Sequence, residues 1–201
     1  MDSFLKALSV QYFEEISKKI LDMFLPKHGF KLLESSETKV IYNNKSDIFL
    51  EIYYYPEDIP NYSLMIGIGF IRRNDNSVTY EGAGLWYALP QGYDYKDWKF
   101  SNKEGLEKNL TRICNNVFEQ YAKPLWGNPN KLRNLIDTQL NESRSNAEKH
   151  LRDQSLLKAK QAFKTGKYEE AVKIYDKIGL NNLTTVEQKM YHMGKKHVEK
   201  A

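Results

Sequence analysis

The chain is poor in the residues that staple or metallate a fold. One cysteine in 201 residues excludes an internal disulfide and any zinc centre built on several thiolates. Histidine is scarce, with four scattered residues. His192 and His197 are five apart and do not share a helix face, and no His-Glu-x-x-His occurs. The longest apolar stretch, Leu64 to Ile71, is broken by Gly67 and Gly69 and falls far short of the roughly 20 residues that span a bilayer. Glu14 and Glu15 stand where a secretory leader would keep its apolar segment. A cytoplasmic chain is therefore expected, and Asn-x-Ser/Thr triplets such as those at Asn61, Asn109, Asn141 and Asn182 carry little weight. Gly67-Ile68-Gly69-Phe70 lacks the third glycine and the following helix of a dinucleotide loop, and no phosphate-loop lysine motif is present. No catalytic residue, cofactor or metal is expected from these patterns.

What the chain has is unevenly placed. Residues 1–100 hold 11 Lys+Arg and 14 Asp+Glu, and residues 101–201 hold 19 and 12, net charges of −3 and +7. Of 26 aromatic residues, 13 lie between Phe49 and Phe100. The two shifts divide the chain into an aromatic, strand-rich front and a basic, helical back. Twelve acids are interspersed among the basic residues of the back half, and no helix-turn-helix or RNA-binding motif occurs, which argues against a nucleic-acid partner.

Apolar residues at three- and four-residue spacing from Phe4 through Leu8, Tyr12, Ile16 and Ile20 to Phe24 predict an amphipathic helix over 3–24. Strands are predicted over 30–33, 39–42, 47–55, 62–72 and 78–89. In 47–55, Ile48, Leu50, Ile52 and Tyr54 share one face, while Phe49, Glu51, Tyr53 and Tyr55 share the other. Short turns between successive strands favour an antiparallel meander. A helix from Lys103 carries Leu106, Leu110, Ile113, Cys114, Val117 and Phe118 as its apolar stripe, so Cys114 reads as a buried thiol rather than a nucleophile. Pro124, Gly127 and Pro129 then interrupt the chain, which sets the expected domains at 1–127 and 128–201. Helices are predicted over 131–140, 143–164, 168–178 and 184–197, the last opened by the capping pair Thr184 and Glu187. The fold class is α+β: a helix, an antiparallel meander and a packing helix, then an α-helical domain.

Ala159-x-x-Ala162-Phe163-x-x-Gly166-x-Tyr168-x-x-Ala171-x-x-x-Tyr175-x-x-Ile178 resembles one tetratricopeptide unit. Small residues let two antiparallel helices approach, Gly166 turns the chain, and Tyr168 and Tyr175 fill the space alongside. An ordinary helical hairpin is the plain alternative. The front half, through Leu21, Gly29-Phe30, Val40-Ile41-Tyr42 and Gly67-Ile68-Gly69-Phe70, resembles small bacterial α+β domains of the DUF4304-like kind. Some of these occur as immunity proteins of polymorphic toxin systems. That resemblance implies a protein that binds and neutralises a cognate toxin.

Trp86, Tyr87, Tyr93, Tyr95, Trp98, Tyr53 and Tyr55 are the candidate partner-binding residues, on outward strand positions or in the Pro90–Ser101 loop. Tyrosine and tryptophan give large contact area at low entropy cost. The expectation is a non-catalytic protein-interaction protein, in its sharpest form a bacterial immunity protein. The alternatives are a tetratricopeptide-like adaptor that recruits its partner through the back helices, and an enzyme whose site one sequence does not reveal. The oligomeric state is left open.

Overall fold

The structure is a computed structural model that describes residues 10–57, 60–75 and 77–200, without the side chain of Asp97. The part of the first predicted helix that falls on residues 3–9 lies outside the described residues. Helix α1 spans Phe13–Phe24 and buries Phe13, Ile16, Ile20, Leu21 and Phe24 along one stripe. A 3₁₀ turn at Pro26–His28 and a left-handed Gly29 lead into the sheet.

Strands β1 (Lys31–Ser35), β2 (Lys39–Asn43), β3 (Ile48–Pro56), β4 (Tyr62–Asn74) and β5 (Ser77–Gly84) pair antiparallel in sequence order, and β6 (Lys99–Phe100) adds to β4. The β2–β3 turn is tied by Asn44 Oδ1, which accepts from the amides of Ser46 and Ile48 at 3.0 Å each. One sheet face presents Leu50, Ile52, Ile66 and Ile68 to the main core. The strand predicted over 78–89 stops at Gly84, whose amide donates to Gln139 Oε1 at 2.7 Å. The chain then turns into a 3₁₀ segment, Leu85–Ala88, and Leu85 drops into the core.

Helix α2 (Lys103–Arg112) is capped by Asn102, whose side chain accepts from Gly105 N at 2.8 Å. It widens into π-helical geometry over Ile113–Ala122 and ends in the short α3 (Lys123–Trp126). Leu106, Leu110, Ile113, Cys114, Val117 and Phe118 all enter the main core, as the stripe predicts.

Helix α4 is one uninterrupted element, Pro129–Lys164, where two helices are expected. Nothing at Asn141 or Glu142 denies a helical backbone, so the helix runs on. The chain divides into two compact units between Gln139 and Leu140, not at Gly127. Leu132 and Ile136, in the first turns of α4, are buried in the main core, and that packing carries the division twelve residues further along.

In the second unit, α4 is followed by α5 (Tyr168–Ile178) and α6 (Thr185–Val198). Ala159, Ala162, Ala171, Val172, Tyr175, Leu183 and Tyr191 form its core. Gly166 sits at φ +75°, a conformation that costs other L-residues about 1–2 kcal/mol. It ends α4 as the amide of Lys167 donates to Ala162 O at 2.9 Å. Thr184 and Glu187 make the expected reciprocal capping box. Glu187 is buried, and Lys160 Nζ reaches it at 2.8 Å. Tyr191 Oη donates to Asp176 at 2.6 Å. Among the described residues, no helix is long and apolar enough to cross a membrane.

Candidate interaction site on the outer face of the sheet

The register decides which side chains share the outer face. Tyr53 stands opposite Met65, Tyr55 opposite Ser63, and Glu51 opposite Gly67, which in turn faces Gly84. Phe49, Ile41 and Ile71 close a small apolar cluster at one end. There the Phe49 ring lies over Gly69 and Gly82, so that a Cβ at either position would stand 2.7 Å from it. The Trp86 ring covers Gly84 in the same way. Glycine in adjacent strands thus lets aromatic rings lie flat on the sheet.

Beyond that cluster the face opens into grooves. One, of about 340 Å³, is lined by Glu57, Ser63, Leu64, Met65, Trp86, Tyr95, Trp98 and Lys99. A second, of about 690 Å³, is lined by Thr38, Lys39, Glu51, Tyr53, Tyr54, Tyr55 and Pro56. A smaller hollow shares Trp86 with the first and Glu51 and Tyr53 with the second, so the openings lie along one continuous face. Tyr95 and Trp98 reach it from a 3₁₀ turn, Tyr95–Trp98, whose cap is Asp94 Oδ1 accepting from Lys96 N at 3.0 Å.

The seven aromatic candidates do not behave alike. Tyr55 is 64% and Tyr95 42% exposed. Tyr53 and Trp86 are half-buried and line the grooves. Tyr87 is half-buried beside Trp86, with ring centroids 6.0 Å apart. Two expected outward positions need correction. Trp98 is only 4% exposed and belongs to the main core, because the loop turns back to lay β6 against β4. Tyr93 is half-buried and packs on that core, edge-on to Tyr121 at 6.3 Å. Ser63, Met65 and Lys99 join the groove lining without having been expected there. For Ser63 and Met65 the signal was present, since the β4 alternation places both opposite the inward Leu64 and Ile66.

The charges on this face are paired. Glu57 accepts from Lys99 Nζ at 2.8 Å and Ser63 Oγ at 2.6 Å, and these bonds hold its carboxyl below the usual range. Glu51 is half-buried. Burial raises its pKa, opposed by Lys39 3.9 Å away. On β4, Arg72 pairs with Glu81, and Arg73 with Asp47. Burial likewise raises the Tyr53 phenol.

Elsewhere the reactive groups are dispersed. Cys114 is buried, and burial pushes its thiol up to about 12, which leaves no thiolate for nucleophilic chemistry near neutrality. His28 sits between Phe24 and Trp126, and His197 stacks on Tyr168 at 4.2 Å. Among the described residues no three of His, Cys, Asp or Glu converge as metal ligands. In the second unit an open hollow of about 620 Å³ lies at the start of α5 and the end of α6, bordered by Lys167, Tyr168, Glu169, Glu170 and His197.

A family model described as tetratricopeptide repeat protein 7 N-terminal matches residues 106–195. The match covers slightly less than half of the chain and includes the whole 159–178 hairpin. This stretch is a tetratricopeptide-like helical region, as the alanine, glycine and tyrosine spacing implies. No curated protein and no solved structure matches the chain.

Proposed function

We propose that the chain is a non-catalytic adaptor that holds a protein partner on the outer aromatic face of its sheet. One observation carries this: rings from β3, the 85–88 turn and the 95–98 turn converge along one open face, where the carboxylate of Glu57 is neutralised by Lys99. An aromatic surface with its charges paired suits a protein partner, for which tyrosine and tryptophan are the favoured anchors. The tetratricopeptide-like helices support an interaction role of the same general kind. The toxin-inhibitor form draws on the front-half resemblance alone, and no comparison adds to it.

The test is quantitative capture of the natural partner by the full chain. Tyr55→Ala and Tyr95→Ala together should weaken capture by about 2 kcal/mol or more and leave the melting temperature nearly unchanged, since both rings are exposed. Undiminished capture by that variant, with loss on changing Tyr168 and His197 beside the second-unit hollow, would move the site to the helices.

A further inference from the structure

On the outer face one carboxylate has its charge only partly met. Lys39 Nζ stands 3.9 Å from Glu51 Oε1 but 3.1 Å from Glu34, so one lysine serves two carboxylates and lies nearer the other. Glu51 is half-buried, and a carboxylate drawn out of water with a distant partner gains when a second cation approaches. Its other oxygen, Oε2, lies over Gly67: a Cβ at that glycine would stand 3.4 Å from it. Both residues line the hollow of about 250 Å³, which also takes in the rings of Tyr53 and Trp86. Gly67 differs from its glycine neighbours in the sheet. A Cβ on Gly69, Gly82 or Gly84 would meet Phe49 or Trp86 within 2.7 Å, whereas the nearest atom to one on Gly67 is that carboxylate oxygen. The floor of the hollow is therefore open, with a carboxylate at its border and aromatic rings in its walls.

Resting on the interaction reading above, we propose that this hollow takes an arginine side chain of the protein partner, with its guanidinium against Trp86 and Tyr53 and an N–H donating to Glu51 Oε2. A guanidinium is planar and weakly hydrated and stacks on aromatic faces, whereas a lysine ammonium is compact and holds its water. Tryptophan is also the ring that attracts a cation most strongly. The chain builds the same arrangement within itself against the inner side of the sheet. There Arg133 lies over the Phe70 ring, 4.6 Å from its centroid, and pairs with Glu81 at 2.8 Å. The net charge of −3 over residues 1–100 favours the approach of a cationic segment to this half of the chain.

The probe is a glycyl-arginyl-glycine peptide capped at both ends, titrated into the ¹⁵N-labelled full chain beside its citrulline counterpart, which keeps the shape and loses the charge. The protein has three tryptophans, so three indole signals report. Trp126 packs against Phe30 and Phe118 and serves as the internal control. The expected result is a saturable shift of the Trp86 Nε1–H signal with the arginine peptide, a far smaller one with citrulline, and no movement of Trp126. Glu51→Gln keeps the shape and removes the charge, and should weaken binding of the arginine peptide about tenfold. Gly67→Ala puts a methyl into the hollow at ordinary contact distance, and should weaken binding with the melting temperature undiminished. Glu107→Gln removes an equal charge from α2, where Glu107 pairs with Lys19, and should leave binding as in the parent. No saturable Trp86 shift, an equal response to citrulline, full affinity in Gly67→Ala, or equal losses in Glu51→Gln and Glu107→Gln would overturn the proposal. If the arginine peptide fails while partner capture still depends on Tyr55 and Tyr95, the guanidinium assignment is wrong and the interaction face stands. If capture ignores both tyrosines, the interaction face itself falls.

Discussion

At the scale of single residues, small and buried groups set what the sheet can carry. Gly69 is the most constrained position: a methyl there would meet the Gly82 Cα, the Glu81 carbonyl and the Phe49 ring. Gly69→Ala should force β4 and β5 apart and cost about 1–3 kcal/mol, as overpacking does. Chemical denaturation measures this, and an unchanged midpoint would show that the ring stacking over glycine is incidental. Cys114 offers a second check. With its thiol buried and pushed up to about 12, it should label at the rate of global or local opening, not at the rate of a free thiol. Fast labelling in the folded chain would place it outside the core. The two tyrosines proposed as anchors differ from Trp98 in kind, because their rings are exposed while Trp98 is buried in the core.

Elements explain both what was legible in the sequence and what was not. Period-two alternation in β3 and β4 assigns Leu50, Ile52, Ile66 and Ile68 inward and Tyr53 and Tyr55 outward, because a strand that buries one face must alternate. The 168–178 helix and the Thr184 cap are equally legible, being local. The fate of the 90–101 loop is not, since Trp98 enters the core only through β6 pairing with β4, a contact between distant residues. The end of β5 at Gly84 depends similarly on Gln139, 55 residues away. In the hairpin, Tyr175 is 1% exposed while Phe163 is only half-buried. Tyr175→Ala should therefore cost about 3–5 kcal/mol, and Phe163→Ala clearly less. Equal losses would mean that the two rings share one core, as the repeat pattern alone implies. The α6 cap adds an acid-dependent effect. The hydrogen bond from Lys160 holds the Glu187 carboxyl below its usual range, so the unfolded chain takes up this proton first as pH falls. The stabilisation is full above the ordinary carboxylate value, about 4.3, and is lost below it as pH falls through the folded-state value. The stability gap between the parent and Glu187→Gln should accordingly close on acidification. A gap independent of pH would show that the pair does not titrate as a unit.

For the whole molecule, the account rests on a division of labour between a sheet unit that presents an aromatic face and a helical unit of tetratricopeptide-like construction. The family match begins at residue 106, inside α2, so the repeat-like region and the compact second unit are not the same piece of chain. Among the described residues, neither unit gathers three potential metal ligands. The most direct measurement is hydrogen exchange of the full chain alone and in complex with its captured partner. Slowed exchange is predicted in 53–57, 63–65 and 95–99 and at Trp86, which line the grooves, with the amides of α5 and α6 unchanged. Protection confined to residues 156–198, with the sheet face exchanging as in the free chain, would contradict it.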